Sequence, residues 1–90
     1  MKINIFGYNI FAKGGTSRSN INLVKSLLEI GHEVHYFNYQ DYNKSDITKL
    51  IIYEGLSTKH LHIHQFNSGK ELAHGDLLII TRETCLIMHI

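Results

Sequence analysis

A glycine pair, Gly14-Gly15, stands between an apolar run, Ile3-Asn4-Ile5-Phe6, and a helical pattern that closes on Gly31. A second strand pattern, opening with Glu33-Val34, follows at once. Strand, Gly-rich turn, helix and strand in that order constrain the chain more than any other feature. A helix directly between two strands is the crossover that joins parallel neighbours. The turn also leaves bare backbone amides at a helix N-terminus, an arrangement that holds anions and most often phosphate.

The rest of the chain continues the alternation. Lys2–Tyr8 reads as a first strand, apolar on both faces as buried parallel strands are. Thr16 or Ser17 is placed to cap the first helix, whose inner stripe is Ile21, Val24, Leu27 and Leu28, widened by Leu23 and Ile30. Gly31 supplies its left-handed end. Glu33–Tyr39 is a second strand with Val34, Tyr36 and Asn38 on one face. Ser45 is placed to cap a second helix with Ile47, Leu50 and Ile51 inward, ended by Gly55. Lys59–Phe66 alternates with period two, the mark of a half-exposed strand. Lys70–His74 reads as one helical turn, and Asp76–Arg82, with Leu77-Leu78-Ile79-Ile80 at its centre, as a fourth strand. Glu83–Ile90 fits helix and strand equally. The expectation is an α/β, Rossmann-like three-layer α/β/α domain with a mostly parallel sheet of about four strands and right-handed crossovers.

Composition narrows the partners. A chain of 90 residues forms a single domain at most, here 1–90. A net charge of +1 gives no field suited to nucleic acid or an anionic membrane. The first apolar residues are interrupted by Asn4, Gly7 and Asn9, unlike a signal peptide, and no apolar run approaches the roughly 18 residues of a membrane span. Cys85 is the single cysteine, which excludes an internal disulfide and fits a reducing, cytoplasmic setting.

The residues up to about Tyr39 resemble a known family. Gly14-Gly15-Thr16-Ser17-Arg18, Asn22-Leu23 with Leu27, and Gly31-His32-Glu33-Val34 are similar to the turn, helix and helix exit of the N-terminal half of two-Rossmann-domain (GT-B) glycosyltransferases, retaining family 4 in particular. The resemblance implies transfer of a sugar from a nucleotide-sugar donor to a hydroxyl on a carbohydrate, lipid or protein acceptor, without a further cofactor. It implies that Gly14, Gly15, Thr16 and Arg18 face the donor diphosphate and the acceptor. It names no catalytic residue here. Ser17 stands where the family often has an acid before the Arg, which removes a negative charge beside the turn. In that family the paired glutamates of the donor site lie in a second Rossmann domain. The expectation is therefore a partial domain of a larger enzyme, inactive by itself, that self-associates through an open sheet edge or its C-terminal segment.

Other chemistry is sparse. The Gly-x-Gly-x-x-Gly dinucleotide fingerprint and the P-loop Gly-Lys-Ser/Thr are both absent. No Gly-x-Ser-x-Gly elbow surrounds Ser17 or Ser19, and Cys85 reads as a buried small residue. Two non-transferase readings remain: a self-associating α/β module without catalysis, and another small Rossmann-like phosphate- or nucleotide-binding protein. A receiver-type version of the latter lacks its acidic pair after the first strand. No metal is expected. His60 and His62 stand at the i, i+2 spacing that can share an ion, His64 is too far along the strand to join them, and no nearby acid or Cys completes a site. His32, His35, His74 and His89 show no ligand spacing.

Overall fold

The computed structural model describes residues 1–7, 9–12, 14–67 and 75–81 and, as backbone, 85–89; the Thr16 side chain lies outside this set. Strands β1 (Lys2–Gly7), β2 (Glu33–Asn38), β3 (Leu61–Gln65), β4 (Leu77–Thr81) and β5 (Cys85–His89) and helices α1 (Gly15–Ile30) and α2 (Lys44–Glu54) follow the expected alternation. They form a five-stranded sheet in the order β3-β2-β1-β4-β5. The first four strands run parallel. β5 turns back antiparallel to β4, so the segment that fitted helix and strand equally is a strand. The α/β class with a mostly parallel sheet is the class read from the sequence. The expected short helix at Lys70–His74 lies outside the described residues. Among the described residues no helix is long and apolar enough to cross a membrane.

The crossovers β1–α1–β2 and β2–α2–β3 step the same way across the sheet, so a common handedness puts both helices on one face. Ile21 and Val24 of α1 and Leu50 of α2 pack there against Ile3, Ile5, Val34, Tyr36, Leu61 and Ile79. Strand alternation sends Phe6, Phe37 and Leu78 to the other face, where Phe66 and Ile80 join them. Among the described residues that second face carries no helix.

The helix ends differ in detail from the sequence expectation. α1 is capped by Gly14, not by Thr16 or Ser17, and no side chain hydrogen-bonds its first amides. Ser17 Oγ instead donates to the Asn9 carbonyl at 2.7 Å, backward across the loop. α2 begins one residue before Ser45, and its cap is Asn43, whose N–H donates to Asp46 Oδ2 at 3.0 Å within a capping box. The signal was the Asn43-x-x-Asp46 spacing, which outcompetes a lone serine. Gly31 ends α1 at φ 103° as expected, with His32 N–H donating to the Leu27 carbonyl at 3.1 Å.

The loop from β1 to α1 is anchored by one fully buried amide. Asn38, at the end of β2, accepts from the Ile10 N–H at 2.8 Å through Oδ1. Its Nδ2 donates to Asn9 Oδ1 at 3.1 Å and to the Gln40 carbonyl at 2.8 Å. Asn9 Oδ1 also accepts from the Phe11 N–H at 3.1 Å, closing an Asx turn. Replacing Asn38 with Ala leaves the buried Ile10 N–H without its acceptor. The Asn38→Ala chain is expected to lose about 2–3 kcal/mol in urea unfolding, more than a surface Asn43→Ala change.

Candidate functional site

In a sheet of this order the crevice lies where the crossovers reverse, between the carboxyl ends of β1 and β4. The β1–α1 loop sits above that point. Gly14 adopts φ 139°, ψ 174°, a conformation essentially reserved for glycine. Gly15 opens the helix proper, and a Cβ built at either glycine meets nothing within 4 Å. The packing of the described residues therefore does not explain why Gly15 lacks a side chain. It leaves the first amides of α1 open to approach from outside. The first turn holds no acid and no side-chain cap, so the positive end of the helix dipole is unopposed there.

Below the loop, the floor is closed. A Cβ on Gly7 would collide with Thr81 Oγ1 and come within 2.6 Å of the Tyr36 hydroxyl. That hydroxyl accepts from Asn20 Nδ2 at 3.0 Å, and burial pushes its pKa well above the usual phenol value. Tyr36 is thus part of this floor and is buried, while Phe37 turns to the opposite sheet face. Tyr42 braces the loop through a tilted ring contact with Phe11, with centroids 5.1 Å apart, and by donating to the Ile63 carbonyl at 3.1 Å.

A groove of about 790 Å³ runs from Gly14 and Phe11 along α1 to Lys49 and Tyr53 of α2. This is within the range of small-molecule sites, roughly 300–1,000 Å³. Of the residues singled out in the sequence, Gly14 and Arg18 line it, and Gly15 does not. The Arg18 guanidinium is bidentate to Glu54, with Nη1–Oε1 at 2.9 Å and Nη2–Oε2 at 2.7 Å. Lys25 Nζ adds a third contact to the same carboxylate at 3.1 Å. An incoming anion would compete with Glu54 for Arg18, so Arg18 contributes potential more readily than a direct contact. The sequence signal for this pairing was Glu54 itself. An acid on the last helical residue opposes the dipole unless a cation meets it.

The histidines occupy the other face of the sheet. His60 precedes β3 and is exposed. His62 pairs in register with His35 of β2, and Phe37 pairs with His64. His35 Nε2 and Glu33 Oε2 are 2.5 Å apart, and His35 Nδ1 lies 2.9 Å from His64 Nε2. Burial holds the His35 imidazole below its ordinary pKa, while the hydrogen bond from His35 lowers that of Glu33. A neutral His35 donating to a carboxylate satisfies both. Glu33, His35 and His62 present ligand atoms all within 4.8 Å of one another. Reading β3 alone missed His35 and Glu33, which the parallel register supplies from the neighbouring strand.

Two outcomes follow for the turn and the groove. Gly14→Ala is expected to cost about 1–3 kcal/mol in chemical denaturation, and Gly15→Ala to stabilise by up to about 1 kcal/mol, since the second site is helical and open. Glu54 is held down to about 2 from an ordinary 4.5 by the Arg18 hydrogen bond first and by Lys25. Its contribution to stability is complete above pH 4.5 and is lost as the pH falls toward 2. Thermal melts of Glu54→Gln against the unsubstituted chain should therefore differ at pH 7 and converge near pH 2.

Comparison with known protein families, with curated proteins and with solved structures finds no match to this chain, so the chemistry of the site is read from its own residues.

Proposed function

We propose that this chain supplies the phosphate-facing wall of a nucleotide-sugar site in a cytoplasmic glycosyltransferase of the two-Rossmann-domain kind. One observation carries the reading. The uncapped first turn of α1, reached through a glycine-only backbone at Gly14 and a bare Gly15, opens at the carboxyl edge of a parallel sheet beside a groove of ligand size. On this reading the first amides of α1 hold the diphosphate. Arg18 adds positive potential while Glu54 keeps it in place. Phe11 and Tyr53 give the groove apolar surface for the remainder of the donor or acceptor. The resemblance places the remaining donor contacts on a second Rossmann-like unit. The 90-residue chain is therefore expected to bind weakly and not to turn over. No catalytic residue is assigned.

A second reading, a self-associating module without catalysis, is favoured by the strands β3 and β5 that border the sheet. One titration separates the two. Uridine diphosphate added at millimolar concentration to the isotope-labelled chain should shift the amide resonances of Gly14 through Arg18 first. Gly15→Ala should weaken that binding about tenfold, or about 1.4 kcal/mol, while leaving the fold at least as stable. Shifts scattered over the surface, or unchanged affinity in Gly15→Ala, would reject the phosphate wall. A light-scattering mass of two or more chains in that circumstance would support the module.

A further inference from the structure

The face of the sheet opposite the two helices carries a separate constellation, independent of the groove. Glu33 and His35 project from β2, and His62 comes from the adjacent edge strand β3 at the register position of His35. We propose that Glu33, His35 and His62 form a binding site for a divalent transition-metal ion of the zinc class, bridging β2 to the edge strand β3.

The donor set decides the class of ion. Two imidazole nitrogens and one carboxylate oxygen suit zinc, and also cobalt or nickel, but not magnesium or calcium, which take oxygen ligands. Tetrahedral ligation at about 2.0–2.2 Å requires donor atoms roughly 3.4 Å apart. The present atoms lie within 4.8 Å of one another. The His35–Glu33 pair, at 2.5 Å, must open slightly as the ion takes the place of the shared proton. The His35 and His62 rings are stacked, with centroids 4.4 Å apart and planes at 14°, which keeps the two imidazoles adjacent across the strand pair. His62 is exposed and can turn its ring toward the ion without disturbing the core.

The surroundings supply the support that a ligating histidine needs. A metal on His35 Nε2 fixes the proton on Nδ1, which then donates to His64 Nε2 across the existing 2.9 Å contact. His64 is held in turn against the Phe37 ring, with centroids 4.9 Å apart. Lys2, opposite Glu33 in the register of β1, opposes the ion electrostatically. Three protein ligands leave a fourth position for water or an outside donor. The ion would tie an edge strand to its neighbour, so occupancy should raise thermal stability in proportion to free metal.

The test uses the untagged full chain. Zinc chloride titrated by calorimetry should give one site per chain, and cobalt substitution should give the visible absorption bands of a tetrahedral ion. His62→Ala and Glu33→Gln should each weaken binding at least tenfold, and His64→Phe about tenfold, while His60→Ala leaves it unchanged. The melting temperature should rise with zinc in the unsubstituted chain and not in His62→Ala. No binding heat, equal binding by His62→Ala, or equal weakening by His60→Ala would overturn the site.

Discussion

Asn38 is the residue on which the candidate groove depends. Its carboxamide ends β2 inside the core and pairs there with the Ile10 N–H, Asn9 Oδ1 and the Gln40 carbonyl. A buried amide left unpaired costs more than a paired one contributes, so the loop and the strand end are bound to each other's geometry. Asn9 passes the constraint on, through Ser17 Oγ, to the first turn of α1. The position of the glycine pair is thus set from the neighbouring strand and not by the glycines themselves. Glycine makes the conformation accessible; Asn38 selects it.

Most of the architecture was legible because it follows from local periodicity. The stripe of Ile21, Val24, Leu27 and Leu28, the stop at Gly31 and the alternation through Leu61 and Ile63 each specify an element without reference to the rest of the chain. Asn38 was legible as an inward position beside Val34 and Tyr36, but its partners were not, because they depend on how a loop returns over the sheet. Glu54 and Arg18 are 36 residues apart and meet only after two helices settle on one face. The histidine group failed for the same reason. His62 and His64 were visible on one strand, while His35 and Glu33 needed the parallel register of β2 and β3. Caps failed differently: Asn43 and Gly14 each outcompeted a serine or threonine two or three residues further on.

The two faces of the sheet divide the chemistry. The helical face holds the apolar core and the groove, with the Arg18, Lys25 and Glu54 cluster spanning α1 and α2. The other face places aromatic rings next to imidazoles, from Phe6 and Phe66, stacked at 4.3 Å, to Phe37 and His64. On that side polar groups lie toward the amino ends of β1 and β2, at Asn4, Glu33 and His35, and aromatic rings toward their carboxyl ends, at Phe6 and Phe37.

The floor under the glycine turn has a mechanical consequence. Thr81, Tyr36 and Asn20 converge on the space above Gly7 so closely that not even a methyl group fits. Close-packed interiors of this kind barely compress. The carboxyl end of β1 is therefore a stiff support from which the loop carrying Gly14 departs. The groove itself is lined elsewhere, by Ile10, Ile21 and Leu50 among others, so displacement of α2 against α1 can reshape it and leave the strand end where it is.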